Sequence, residues 1–183
     1  MSEIAKDLIA NQAQGGNVNT VVKLSFEEGL LAAMQGCIQM MRAVQTNRVG
    51  HDHGGMSGRS QRERWAQAIH GQLCEHAVAK LLGVFPKASV GGIDENDPGG
   101  IAIRGTPWET GALIVNKSEL PAADSTPFVL VVGHWPQFRV VGWIYGREAR
   151  VPKFWRPDER PASWWVPQSA LHQITALTLE DWR

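Results

Sequence analysis

Cysteine is scarce in this chain, where Cys37 and Cys74 are the only two among 183 residues. Both fall in apolar stretches with helical periodicity. Neither belongs to a Cys-x-x-Cys motif or to a cysteine and histidine spacing of the kind that binds zinc. We therefore interpret both as reduced core residues of a protein in a cytosolic setting.

An excess of charge and long apolar runs are also missing. Lysine and arginine together number 18, as do aspartate and glutamate, so the formal net charge is zero. A neutral chain does not coat nucleic acid through bulk charge, although it can still carry a local basic site. No apolar stretch approaches the roughly 20 residues of a membrane helix. The first residues also lack the basic region and apolar run of a signal peptide.

The residues that are present suit one packed domain. Hydrophobic residues make up 43% and charged residues 20% of the chain, which favours a globular core over disorder. Residues 1–17 are polar and rich in glycine, asparagine and glutamine. We expect them to form a flexible arm ahead of a single domain at residues 18–183.

Tryptophan is abundant, with eight residues against one tyrosine. Six of the eight lie near the C-terminal end: Trp135, Trp143, Trp155, Trp164, Trp165 and Trp182. The prolines in "FWRPDERPASWWVPQ" favour tryptophans that pack in the core or at an interface. A platform that stacks nucleic-acid bases is the alternative.

Two segments carry the start signals of helices. Ser25 with Glu28, and Ser60 with Glu63, are capping boxes, in which two side chains satisfy free backbone N–H groups. Gly83 is a natural end for the second helix. The first helix has an apolar stripe at helical spacing, formed by Phe26, Leu30, Ala33, Met34, Cys37, Met41 and Val44. Between the helices, the glycine-rich segment 49–58 is expected to be an exposed linker and not a metal site.

The second half of the chain has the pattern of strands. Four segments rich in β-branched and aromatic residues are separated by turn residues: "IAIRGT", "ALIVN", "PFVLVVG" and "FRVVGWIYG". We expect residues 101–145 to form consecutive strands of one sheet, with the helix at about residues 60–82 packed on it. The order of elements predicts an α/β or α+β sandwich around that sheet.

Glu75 lies on an unusual face of the second helix. Its neighbours one turn away are small or apolar, and they include Gly71, Ala79 and Leu82. An ionised carboxylate in such surroundings loses hydration, which is costly unless a cation or hydrogen-bond donors compensate. Glu75 therefore either pairs with an arginine, faces a crevice with water, or binds a metal ion at the edge of the sheet.

Three parts of the chain carry a resemblance to a known family: "EHAVAKLLGVFP", the stretch from "DPGGIAIRGTPWETGALIVNK" to "GWIYGREARV", and "RPASWWVPQSAL". They resemble an uncharacterised group of phage and prophage proteins, which is itself similar to the PD-(D/E)XK, or restriction-endonuclease-like, nucleases. The resemblance runs from roughly residue 20 to the C-terminus and depends on the order of the elements. It implies a core with a central mixed sheet flanked by helices, a phosphodiester hydrolase activity on DNA, and Mg²⁺ or Mn²⁺ as cofactor.

The resemblance also implies a set of site residues. Glu75 corresponds to the carboxylate of the core helix and Asp97 to the aspartate that opens the hairpin, with Asp94 as the fallback. Ala102, Ile103 and Arg104 take the place of the (Glu/Gln)-x-Lys motif. The expected metal ligands are then Glu75, Asp97 and the backbone carbonyl of Ile103, with Arg104 as the contact of the scissile phosphate.

Two departures from the family pattern affect the expected activity. Ala102 has no ligand atom, and Arg104 cannot act as a general base because its pKa is too high. The first hypothesis is therefore a phage-encoded, metal-dependent DNA endonuclease with a partly degenerate site. The second is a non-catalytic binding or structural module for phage assembly or host takeover. Its partners would be DNA, or phage or host proteins bound through the tryptophan-rich part, in the host cytoplasm or on the virion.

Overall fold

The computed structural model describes residues 20–46, 60–84, 100–117, 124–159 and 162–174. The expected arm at 1–17, the linker at 49–58, and both Asp94 and Asp97 lie outside these residues.

The described residues form one strand, then two long helices, and then mainly short strands. The helices are α1 (Phe26–Gln45), α2 (Gln61–Leu82) and the single turn α3 (Gly146–Ala149). The strands are β1 (Thr20–Lys23), β2 (Ala102–Thr106), β3 (Leu113–Asn116), β4 (Pro127–His134), β5 (Gln137–Tyr145), β6 (Trp155–Arg156) and β7 (Ser163–Val166). The expectation of a mixed α and β fold is confirmed.

The long helices begin where their capping boxes predict. The backbone N–H of Ser25 donates to Glu28 Oε2 at 2.6 Å, and that of Ser60 donates to Glu63 Oε2 at 2.7 Å. In return, each serine hydroxyl accepts from the backbone N–H of its glutamate, at 3.2 and 3.3 Å. Gly83 ends α2 with φ 68°, a left-handed conformation that glycine adopts without steric cost.

The strands form two sheets and not one. The first sheet has the order β1-β5-β4-β2, in which β2 and β4 run parallel and the other pairs antiparallel. The second sheet has the order β3-β7-β6 and is antiparallel. The prediction that residues 101–145 lie in one sheet is therefore wrong at β3, which pairs with β7, a strand about 50 residues further along the chain.

The two sheets and the helices form three layers. Alternate residues of β4 point to opposite sides: Val129 and Val131 join the core beneath the helices, whereas Phe128 and Leu130 join the core shared with the second sheet. A strand that is covered on both faces has apolar residues at nearly every position, which explains the continuous apolar run of "PFVLVVG". The central mixed sheet is thus flanked by helices on one face, while the second sheet and α3 cover the other.

The first helix packs through its small residues. Gly29, Ala32, Gly36 and Ala43 are buried, together with Met40. A Cβ atom at Gly36 would lie 2.7 Å from Ile69 Cα of α2, so only glycine permits this approach of the two backbones. The apolar stripe faces outward instead, with Phe26 67% and Met41 56% exposed.

The two cysteines differ in burial because one faces the core and the other lies on the outward side of its helix. Cys74 on α2 is fully buried, as expected, whereas Cys37 on the outward side of α1 is only half-buried. The interpretation of Cys37 as a core residue is therefore wrong.

Of the described helices, none combines the length and apolar character that a membrane span requires.

Candidate functional site

Glu75 is half-buried on α2. It follows Cys74, which belongs to the core between this helix and the first sheet. The side-chain amide of Gln72, itself 2% exposed, donates to Glu75 Oε1 at 2.8 Å. Burial, and then the negative charge of Glu75, raise the pKa of the Cys74 thiol far above its usual range. Glu75 is thus an acidic group close to the core whose carboxylate receives at least one donor from the protein.

Arg104 lies on β2, the edge strand of the first sheet. Ile103 packs into the core beneath the helices, and a Cβ atom at Gly105 would overlap Cys74 Sγ, so both residues face α2. Side chains alternate along a strand, so Arg104 points to the opposite face. Its guanidinium carbon lies 5.2 Å from the ring centroid of Phe128, which belongs to the core between the sheets.

The predicted site residues are therefore distributed over both faces of the first sheet. Glu75 is on the helix that covers one face, and the Arg104 side chain lies over the other. Arg104 Nη1 also donates to the backbone carbonyl of Ile103 at 3.0 Å. A carbonyl oxygen that already accepts from a cation is a poor ligand for a second cation, because the two positive charges repel each other. The other expected ligand, Asp97, is outside the described residues.

These groups fit a divalent ion only in part. Glu75 supplies a carboxylate of the type that Mg²⁺ prefers, but Ala102 and the occupied Ile103 carbonyl do not complete a ligand set. Over residues 20–174, with the gaps given above, no group of three His, Cys, Asp or Glu residues comes together as metal ligands.

A different surface lies on the second sheet, in the tryptophan-rich part of the chain for which base stacking is the alternative interpretation, although the sequence does not indicate a depression there. An open depression with a volume of about 320 Å³ lies there, lined by Ala112, Lys153, Phe154, Arg156, Trp165 and Pro167. The indole N–H of Trp165 donates to Ser163 Oγ at 3.0 Å, which fixes the orientation of the ring. Ser163 pairs across the ladder with Arg156, so Arg156 lies on the same side of the sheet as the indole.

The depression combines aromatic groups with the cations Lys153 and Arg156. Lys153 Nζ lies 4.7 Å from the ring centroid of Phe154. Among the described residues, neither Lys153 nor Arg156 has a carboxylate within ion-pair distance, in contrast to Lys80, Arg139 and Arg150. The positive charges here are therefore available to an anionic ligand.

Most other tryptophans of this region pack against neighbours. Trp143 is 7% exposed and meets Tyr145 edge to face at 4.9 Å between ring centroids. Trp155 and Trp164 form a tilted pair at 4.5 Å. Packing, the favoured interpretation of the tryptophans, is confirmed for these three. Trp135 is 45% exposed, and Trp182 lies outside the described residues. The sequence could have indicated the outward position of Trp165 only through its spacing, because Trp165 alternates with the inward-facing Trp164 on one strand.

Comparison with known proteins finds no relative of this chain: it matches no protein-family model, no curated protein and no solved structure.

Proposed function

We propose that the chain is a non-catalytic module of a phage protein that keeps a nuclease-like layout and binds single-stranded DNA at the depression on its second sheet. The observation that carries this proposal is the combination of Trp165, Phe154, Lys153 and Arg156 around one open depression. The nuclease-like layout remains part of the proposal. It is supported by the order of a core helix with a glutamate, followed by a mixed sheet.

The geometry at β2 favours a non-catalytic role. Ala102 offers no ligand atom, and Arg104 donates to the Ile103 carbonyl. The Arg104 guanidinium also lies over Phe128, on the face of the sheet away from Glu75. A phosphate held by this arginine would therefore be separated from the Glu75 carboxylate by the sheet itself.

Single-stranded nucleic acid is the ligand class that the depression suits. Proteins that bind single strands without sequence preference combine aromatic rings, on which bases stack, with cations along the backbone. The Trp165 ring is held by its hydrogen bond to Ser163, so little side-chain entropy is lost when a base stacks on it. Lys153 and Arg156 then neutralise neighbouring phosphates.

The size of the depression sets the expected strength of binding. A volume of about 320 Å³ accommodates about one nucleotide, which is flanked by two phosphates in a strand. Two phosphate contacts on a single strand predict a salt dependence of log K against log salt with a slope of about −1.4. We therefore expect weak binding with a modest salt dependence and not the tight, steeply salt-dependent binding of an extended groove.

The test measures fluorescence anisotropy of a labelled oligothymidine as protein is added at several salt concentrations. Trp165→Leu should weaken binding about tenfold, as expected for the loss of one stacked base. Lys153→Gln and Arg156→Gln should each reduce the slope by about 0.7. Arg62→Gln removes the same charge from the exposed start of α2 and serves as the matched control. If Arg62→Gln weakens binding as much as Arg156→Gln does, or if Trp165→Leu has no effect, the depression is not the binding site.

A metal-dependent DNA endonuclease is the second candidate, and the half-buried carboxylate of Glu75 favours it. Plasmid cleavage with Mg²⁺ or Mn²⁺ tests it, with Glu75→Ala as the control. Metal-dependent cleavage that disappears in Glu75→Ala would establish the nuclease and remove the non-catalytic part of our proposal. Cleavage that persists in the variant would indicate a contaminating nuclease.

A further inference from the structure

The outward side of α1 is the largest apolar surface that the described residues leave open. Seven of its large hydrophobic side chains are between 39% and 67% exposed: Phe26, Leu30, Leu31, Met34, Ile38, Met41 and Val44. Together they present on the order of 700 Å², at or above the largest patch of a typical monomer, roughly 300–600 Å². Each partner in a standard-size interface buries roughly 800 Å². The surface is therefore close to the size that one specific interface requires.

The spacing of this stripe matches a helix as its partner. Its central line alternates steps of four and three residues through Leu30, Met34, Cys37, Met41 and Val44. This is the a/d spacing with which two helices interdigitate at a small crossing angle. A loop or a sheet edge would not select this alternation.

The charges at the two ends favour a second copy of the same helix in the opposite direction. Glu27 is exposed at the start of α1 and Arg42 is exposed near its end. Two parallel copies would bring like charges together, whereas antiparallel copies place Glu27 near the partner's Arg42 at both ends. The helix dipoles also favour the antiparallel arrangement.

We propose that the protein forms a two-fold symmetric dimer through antiparallel packing of α1 against the α1 of a second copy. In the register that continues the a/d spacing, Leu30 packs against the partner's Met41 and Met34 against the partner's Cys37. The interface lies on the helical side of the molecule, and the depression is on the outer side of the second sheet. The dimer therefore leaves both depressions open, and it does not depend on what they bind.

Sedimentation equilibrium of the full chain tests the dimer. We expect twice the mass of the 20.1 kDa chain at tens of micromolar. Met34→Glu, at the centre of the stripe, should raise the dissociation constant at least tenfold and leave the circular dichroism spectrum unchanged. Val21→Glu places the same charge on a 52% exposed hydrophobic residue of β1 and should leave the dimer intact.

Cross-linking tests the orientation. Cys37 is the more accessible of the two cysteines, because Cys74 is fully buried. In a Cys37→Ser background, Glu27→Cys and Val44→Cys are made as separate proteins. A short bis-maleimide should link them when they are mixed, because the two positions face each other in the antiparallel register. Neither protein should cross-link to itself, since two copies of position 44 lie about 25 Å apart along the helices.

Three results would overturn the proposal. A wild-type chain that stays monomeric up to about 100 µM has no such dimer. If Met34→Glu destabilises that monomer strongly, another segment of the same chain covers the stripe. Self-linking of Val44→Cys, with no linking in the mixture, would establish a parallel pair.

Discussion

The two long helices differ in the kinds of residue that they bury. α1 and α2 have 20 and 22 residues and begin with the same capping box. α1 buries small residues such as Gly36 and exposes large apolar ones. α2 lies between α1 and the first sheet and buries polar Gln72 and His76 beside its apolar residues.

The difference shows that position in the layers decides which face of a helix is buried. α2 is covered on two sides, so polar residues must find partners inside, as His76 does with Gln35 at 2.7 Å. Within the part of the chain that the structure describes, α1 is covered on one side only, where close approach to α2 requires small residues. Its apolar stripe is exposed, and it is the surface that we propose for the dimer.

The largest effect should come from filling the contact between the helices. Gly36→Leu should lower the free energy of unfolding by about 3 kcal/mol, since its Cβ would press on the Ile69 backbone. Gly71→Leu makes the same change on α2, where nothing lies within 4 Å of the added atom, and should cause no loss of stability, because leucine favours a helix more than glycine does. Urea unfolding of both variants measures the difference. Equal costs would mean that α1 does not pack on α2 through Gly36.

The next effect concerns the buried polar residue of α2. Burial lowers the pKa of His76, and the nearby Glu28 carboxylate opposes this only in part. The unfolded chain therefore binds the proton first. Stability should be complete above the unfolded pKa of about 6.5 and should fall as the pH drops through the folded pKa, by at most about 1.4 kcal/mol per pH unit.

His76→Gln keeps a donor for Gln35 and removes this titration. Its unfolding midpoint should change less than that of the wild type between pH 7 and 5. Glu28, whose pKa is lowered because hydrogen bonds from Lys80 and Ser25 outweigh the effect of burial, loses its stabilising contribution only at more acidic pH. A variant with the same pH dependence as the wild type would show that His76 is not responsible.

A smaller change in stability is expected from a substitution at Glu75, on the same helix. Glu75→Gln should raise the stability of the metal-free protein by about 1 kcal/mol, because a neutral amide is cheaper to desolvate than a carboxylate. The same change should abolish any stabilisation by Mg²⁺ or Mn²⁺. Thermal melts of both proteins with and without metal measure this. Strong destabilisation by Glu75→Gln, with no metal effect on either melt, would identify Glu75 as half of a structural ion pair.

The smallest effect should be a gain in stability. Gly71→Ala should stabilise the protein by about 0.5–1 kcal/mol, because α2 has open space at this position and alanine favours the helix. Gly36→Ala is the matched change on α1 and should have the opposite sign. Chemical denaturation of the two variants measures the change in the free energy of unfolding that one added methyl group causes in each helix.

Part of the candidate site could be predicted from the sequence. The wheel of α2 placed Glu75 beside the buried face, which agrees with its half-buried position near Cys74. The assignment of Arg104 to the same site remains a prediction that the strand geometry does not favour. A linear pattern shows that neighbouring residues alternate, but it does not show which face of the sheet the helix covers.

The sequence alone determined where the helices begin and that the second half consists of strands, because capping, turns and periodicity act between residues close together in the chain. Only the tertiary structure decided that β3 leaves the first sheet, that the stripe of α1 points outward, and that Trp165 borders an open depression. Each of these depends on contacts between distant segments. Such contacts are selected by the shape and burial of the whole domain, so local patterns do not encode them.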